Sequence, residues 1–148
     1  MNGSALITGA ANRIGKEMAL GLAAEGINIV VHYMSSEKEA EEVVEVARTY
    51  GVRAASVKAN LLNDNEVKEL IPKAASLIGE QLNILVNNAS IFEYDNIDTV
   101  STQSWDRHIG SNLKAPLFLI QEFAKFVSDG VLDVNGENMP QGNIINIV

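Results

Sequence analysis

Two glycines and one arginine crowd into a short stretch, Thr8-Gly9-Ala10-Ala11-Asn12-Arg13-Ile14-Gly15, between the apolar Ala5-Leu6-Ile7 and a helical pattern. Residues of these types at a strand-to-helix turn are suited to holding phosphate. Gly9 permits a tight turn, Ala10 and Ala11 keep the loop thin, and Gly15 lets the helix lie close to the strand beneath an anion. The first helical turn then presents amide donors without intrahelical acceptors, at the positive end of the helix dipole. In this context the pattern is a dinucleotide fingerprint, with Gly9, Asn12, Arg13, Ile14 and Gly15 as candidate cofactor contacts; the competing reading is a bare structural turn. Arg13 is a cation placed where it opposes the dipole, which a bound anion would explain; otherwise it is a surface residue of a first helical turn.

The elements that must position this turn follow from periodicity. Five apolar runs, Ala5-Leu6-Ile7, Ile27 to His32, Arg53 to Lys58, Leu82 to Val86 and Asn143 to Val148, read as buried strands. After the first, Ile14, Met18 and Leu22 are expected to share the inward face of a helix that Gly26 stops. Ser35 or Ser36 can cap the next, which turns Ala40, Val43, Val44 and Ala47 inward and Glu37, Glu41, Glu42 and Glu45 to solvent before Gly51 ends it. A third helix begins near Asn63 or Asp64 and buries Val67, Leu70, Ile71 and Ala74, with Pro72 expected to kink or divide it. A fourth, Gln103 to Val127, contains Pro116 and an apolar second half suited to a partner helix or subunit, and Asp129 to Gly142 reads as a surface loop. Alternating strands and helices imply right-handed crossovers and a mostly parallel sheet, so the fold class is doubly wound α/β of the Rossmann type. The whole of 1–148 is expected to form a single domain.

The turn residues Thr8, Gly9 and Gly15, with Leu85-Val86-Asn87-Asn88-Ala89-Ser90 after the fourth strand, resemble the short-chain dehydrogenase/reductase family. Its pattern is a Thr-Gly turn with three spaced glycines and a later Asn-Asn-Ala-Gly. Arg13 stands at the usual middle glycine and Ser90 at the usual last one; both departures, and the His32-Tyr33 pair ending the second strand, resemble the pteridine reductase branch. The resemblance spans essentially the whole chain. It implies an oxidoreductase that transfers hydride from a nicotinamide cofactor to a carbonyl or pterin-type substrate.

The end of the second strand discriminates between cofactors, because a carboxylate there takes the ribose 2′-hydroxyl of NAD and a cationic or hydroxyl-bearing site accommodates a 2′-phosphate. Val31-His32-Tyr33-Met34-Ser35-Ser36 offers no carboxylate before Glu37, so the cofactor expected is NADP(H), with Arg13 and Ser36 at the 2′-phosphate and His32 and Tyr33 near the adenosine end. The resemblance further places Asn60 and Leu61 at the adenine, where the family has Asp-Leu, and Asn88, Ala89 and Ser90 under the nicotinamide ribose. Turn capping is the alternative for Asn87 and Asn88.

By the same resemblance, Asn112 matches the family's helix asparagine that supports a water chain, and Phe92 matches an aromatic that stacks on pterin, though a lone Phe equally suits packing. The family's catalytic Tyr has a Lys four residues later. Here Tyr33 is followed at that distance by Glu37, Tyr50 by Ala54 and Tyr94 by Asp98, so these residues by themselves are not expected to turn over. The chain is therefore expected to be a portion of a longer reductase. A 3-oxoacyl or sugar-type reductase of the same family and a non-catalytic NADP-sensing module are the alternatives.

Bulk properties narrow the field further. A net charge of -8 with no basic tract argues against nucleic acid. No cysteine is present, and the two histidines, His32 and His108, lie far apart in sequence, so no metal site is expected. The apolar runs are too short for a bilayer, and no secretory signal is seen, so a soluble cytoplasmic protein is expected. A homo-oligomer formed through the Gln103 to Val127 helix is the expected assembly.

Overall fold

The computed structural model describes residues 3–79, 82–127 and 142–147. Most of the loop expected from Asp129, and Val148, lie outside the described residues. Five strands, β1 (Ser4–Ile7), β2 (Asn28–Tyr33), β3 (Ala54–Lys58), β4 (Ile84–Asn87) and β5 (Asn143–Asn146), alternate with α1 (Arg13–Ala24), α2 (Glu37–Thr49), α3 (Asp64–Ile78), α4 (Thr102–Ile109) and α5 (Ala115–Phe126). The strands form one parallel sheet in the order β3-β2-β1-β4-β5, the doubly wound α/β arrangement. The chain winds outward from β1 to β3, then crosses back to β4 and continues the other way. The switch between β1 and β4 opens a crevice at the carboxyl ends of the strands.

Alternation along each strand divides the core in two. Ile7, Ile29, Val31 and Val86 face α1 and α2 with Ala19, Ala23, Val43 and Val44, whereas Leu6, Val30 and Leu85 face α3 and α5 with Leu70, Ile71, Leu119 and Phe123. The inward residues expected for α2 and α3 are all buried. The Asn63 side chain caps α3 by accepting from the amides of Asn65 and Glu66.

Four expectations are corrected. α1 buries Gly15, Ala19 and Ala23, one position on from the Ile14, Met18, Leu22 stripe; small side chains let the helix approach the sheet, and Ile14 is left 62% exposed. Pro72 does not divide α3, because it lies on the exposed face and the packing of Ile71 and Ala74 holds the turn around it. The helix expected over 103–127 is α4 and α5 joined by a π-helical turn, Gly110–Lys114, and Pro116 falls in the first turn of α5, where no amide is missed. Finally, β5 is exposed rather than buried, since among the described residues it pairs only with β4.

No helix among the described residues is long and apolar enough to cross a membrane. Phe123 is the largest fully buried side chain of the second core. Phe123→Ala is expected to lower the unfolding free energy by about 3–5 kcal/mol in urea titrations, the cost of lost transfer energy plus the cavity left behind.

Candidate functional site

Thr8, at the end of β1, fastens the turn to β4. Its amide donates to the Val86 carbonyl at 2.9 Å, and its hydroxyl accepts from the amides of Asn88 and Ala89 at 2.9 and 3.0 Å. Asn88 answers from the other side, its Nδ2 donating to the carbonyls of Thr8 at 2.9 Å and Gly9 at 3.3 Å. Gly9 has φ +64°, a left-handed conformation that a side chain would strain. Gly15 sits against this knot so closely that a Cβ would meet the Gly9 carbonyl, stand 2.6 Å from Asn88 Nδ2 and 2.9 Å from Ala10 Cα.

His32 ties the turn to the other half of the sheet. Its Nδ1 accepts from the Gly9 amide at 3.1 Å, and its Nε2 lies 3.0 Å from the Ala59 carbonyl, so the ring is neutral with its proton on Nε2. Burial pushes its pKa down to about 4, against the smaller opposing pull of the Ala59 carbonyl. Both ring nitrogens are occupied. The residue expected near the adenosine end is thus fixed as a strut between β2, β3 and the turn, while still lining the cleft.

A cleft of about 960 Å³ opens at these strand ends. Gly9, Asn12, Arg13, Ile14 and Gly15 line it from the turn, His32, Tyr33 and Ser36 from the end of β2, Asn60 and Leu61 from the end of β3, and Asn88, Ala89 and Ser90 from the end of β4. Asn112 reaches it from the π-helical turn. There its Oδ1 accepts from the Ile91 amide at 2.8 Å and its Nδ2 donates to the Ile91 carbonyl at 2.9 Å, so both functional atoms of the side chain fix the segment after β4. Phe92 is not among the lining residues. It is 74% exposed and packs edge-to-face on Tyr94, ring centroids 5.0 Å apart.

Arg13 adopts φ +53°, the only positive φ on a non-glycine among the described residues. A side chain there costs about 1–2 kcal/mol, which glycine would not incur. Among the described residues its guanidinium has no carboxylate partner, and α1 has no acidic residue in its first turn. The N-caps sort the same way. Asn63 and Ser101, away from the cleft, cap α3 and α4 with their side chains; Asn12 and Ser36, which line it, make no side-chain cap bond.

Asn87, singled out in the sequence with turn capping as its alternative, lines the cleft too, and so does Asn146, which was not named as a site residue. Asn87 Nδ2 donates to Asn146 Oδ1 at 2.9 Å, and Asn87 Oδ1 is buried without a partner among the described residues. The available signal was a polar residue closing each of two apolar strands. Ser111 was missed because nothing in its neighbourhood foretold the π-helical turn that carries it.

Two measurements follow. Gly15→Ala is expected to cost about 1–3 kcal/mol of stability in urea, since backbone rather than a flexible side chain must give way. His32 stays neutral in the fold but protonates in the unfolded chain, so its contribution is complete above about pH 6.5 and is lost as pH falls toward about 4. Unfolding free energies of His32→Asn compared with the parent across that window should therefore show a shallower decline, by up to about 3 kcal/mol in total, which separates this group from the carboxylates titrating alongside it.

Residues 4–148 match the family model for short chain dehydrogenase. The chain is 42% identical over 122 residues to the 3-oxoacyl-acyl-carrier-protein reductase FabG of Staphylococcus epidermidis, covering 82% of this chain and 50% of that protein. Its fold is similar to FolM alternative dihydrofolate reductase 1 from Brucella canis, a complex with NADP, at TM-score 0.86 and 32% identity over 99% of this chain and 55% of that one. It is likewise similar to a short chain dehydrogenase from Burkholderia cenocepacia in complex with NADP, at TM-score 0.85 and 28% identity, covering 97% and 54% respectively. The chain spans about half the length of these relatives. With the Thr8–Asn88 knot and the glycine turn in place, the chain belongs to the short-chain dehydrogenase family.

Proposed function

We propose that this chain is the cofactor-binding portion of an NADP(H)-dependent short-chain reductase. One observation carries the cofactor assignment: Arg13, its guanidinium without a carboxylate partner among the described residues, sits on strained backbone beside a cleft whose β2 rim has no carboxylate before Glu37. A planar, charge-assisted fork is matched to a phosphate dianion. The free amides at the start of α1, with Asn12 not consuming them, suit the pyrophosphate. Glu37 and Glu39 already complement the positive end of the α2 dipole, so Arg13 supplies the charge at the 2′-phosphate and Ser36 a hydroxyl.

When bound, the nicotinamide supplies a hydride. The residues of this chain bind, orient and exclude water: Asn88, Ala89 and Ser90 form the floor at the ribose, Asn60 and Leu61 border the adenine, and Asn112 anchors Ile91 at the rim. The π-helical turn carries Ser111, Asn112 and Leu113 to the lining of the cleft. These residues contain no Tyr followed four places on by Lys, so the proton donor is to be sought outside them.

For the substrate, a pterin-type ring or a carbonyl is favoured by Arg13, Ser90 and the His32-Tyr33 pair, and by the similarity to the Brucella canis FolM reductase. The similarity to the Staphylococcus epidermidis 3-oxoacyl reductase favours a second reading, a 3-oxoacyl or sugar-type reductase. Phe92, and Tyr94 packed on it, are then the aromatic residues available to a planar substrate. Assembly is proposed through α4, the π-helical turn and α5. Trp105, Ile109, Leu113 and Leu117 recur every fourth residue with 60%, 37%, 61% and 60% of their surface exposed, a stripe suited to a second copy.

Fluorescence titration is expected to give NADPH about 10- to 100-fold tighter than NADH, the worth of a charged hydrogen-bonded pair. Arg13→Gly should remove that preference while stability holds or rises, because about 1–2 kcal/mol of left-handed strain is relieved against about 0.5–1 of added chain entropy. Equal affinities in the parent chain would remove the 2′-phosphate role. Leu113→Glu is expected to convert the assembly to monomer in sedimentation runs.

A further inference from the structure

The segment that leaves β4 returns to the α4–α5 region and is tied to it at four places. Asn112 takes both backbone groups of Ile91. Arg107 Nε donates to Glu93 Oε1 at 2.8 Å, and Ser104 Oγ donates to Asp95 Oδ2 at 2.5 Å. The fourth tie is His108, which receives the backbone amide of Glu93.

This fourth tie is the one whose polarity reverses with a single proton. His108 Nδ1 lies 2.8 Å from the Ser104 carbonyl oxygen, which can only accept, and its Nε2 lies 3.0 Å from the Glu93 N–H, which can only donate. The neutral ring protonated on Nδ1 is the one form that satisfies both. An imidazolium would set an N–H at Nε2 directly against the N–H of Glu93. The charged groups around the ring are Glu93 and Asp95 on the segment and Asp106 and Arg107 on α4. Arg107 engages Glu93 and Ser104 engages Asp95, so each segment carboxylate already has a partner other than the ring. His108 is half-buried, open enough to exchange a proton with solvent.

We propose that His108 is a positioning residue: its neutral ring latches the Glu93 backbone to α4, and gaining a proton frees that amide and loosens the Phe92–Tyr94 stretch between the ties that remain at Ile91 and Asp95. Ile91 lines the cleft, and the two aromatics that follow are stacked on each other and otherwise exposed, so the latch sets what the open side of the cleft presents. The use of the segment as a substrate-facing surface rests on the proposed reductase reading. The latch itself rests on the contacts of the ring, the Glu93 amide at Nε2 and, at Nδ1, the Ser104 carbonyl with the Ser104 hydroxyl farther off at 3.4 Å.

Amide exchange by NMR on the full chain tests it. In the parent chain the protection of the Glu93 amide, corrected for intrinsic exchange, is expected to fall about tenfold or more between about pH 8 and about pH 5. His108→Gln, whose amide oxygen can accept from Glu93 at any pH, should stay protected at both ends, and His108→Ala should be unprotected at both. Protection that is unchanged across the range in the parent chain, or that survives in His108→Ala, overturns the proposal. NADPH titration of the same samples keeps the two readings apart: a latch that behaves as described in a chain that binds no NADPH supports the latch and refutes the cofactor assignment.

Discussion

Gly15 rests on the Gly9 carbonyl and on Asn88 with no room for a single additional carbon, and the cleft is arranged around that contact. It fixes how near α1 can come to β1, and hence where the first-turn amides point. The small residues Ala19 and Ala23 continue the same close approach along the helix. Thr8 and Asn88 lock the contact to β4 with four hydrogen bonds of 2.9–3.3 Å, while His32 locks it to β2 and β3. Three strand ends are thereby held against one turn by buried and half-buried groups whose hydrogen bonds are made. A network of this kind is rigid because each broken bond would leave a desolvated donor or acceptor behind.

Electrostatics then work on a fixed frame. The protein carries a net charge of -8, yet the phosphate turn bears an arginine and no acid in its first helical turn. The backbone strain at Arg13 is of the kind that persists at functional positions and has no packing return here, since the residue is exposed. On the proposed reading, a ligand anion would supply the missing favourable energy. The same logic separates the N-caps, for Asn12 and Ser36 leave unused on the cleft rim what Asn63 and Ser101 spend on their own helices.

Much of this was legible in the residues. Glycine and strand-helix context located the turn, alternating runs located all five strands, and the carboxylate-free end of β2 set the cofactor expectation. The misses have physical causes. Periodicity chose Ile14, Met18 and Leu22 for the buried face of α1 because hydrophobicity was weighed and closeness was not; a helix pressed onto a sheet by a glycine contact buries its smallest residues. The π-helical turn left no mark in composition, and the Asn112 side chain it carries finds its partner, Ile91, only across tertiary structure. His32, expected near the adenosine end, does line the cleft; what the residues did not show is that both its ring nitrogens are taken by backbone groups that come near it only on folding. Phe92, expected from the resemblance alone, stands outside the cleft lining, exposed and packed on Tyr94, a loop placement that no periodicity reports.

Phosphorus NMR of bound NADP⁺ tests the central claim, that Arg13 exists to meet a 2′-phosphate. A phosphate monoester loses its second proton near pH 6, and a guanidinium beside it favours the dianion. The 2′-phosphate resonance of the complex should therefore titrate at lower pH than in free NADP⁺, and return toward the free value in Arg13→Gly. A bound 2′-phosphate that titrates as it does in free solution, in the parent chain, would contradict the account.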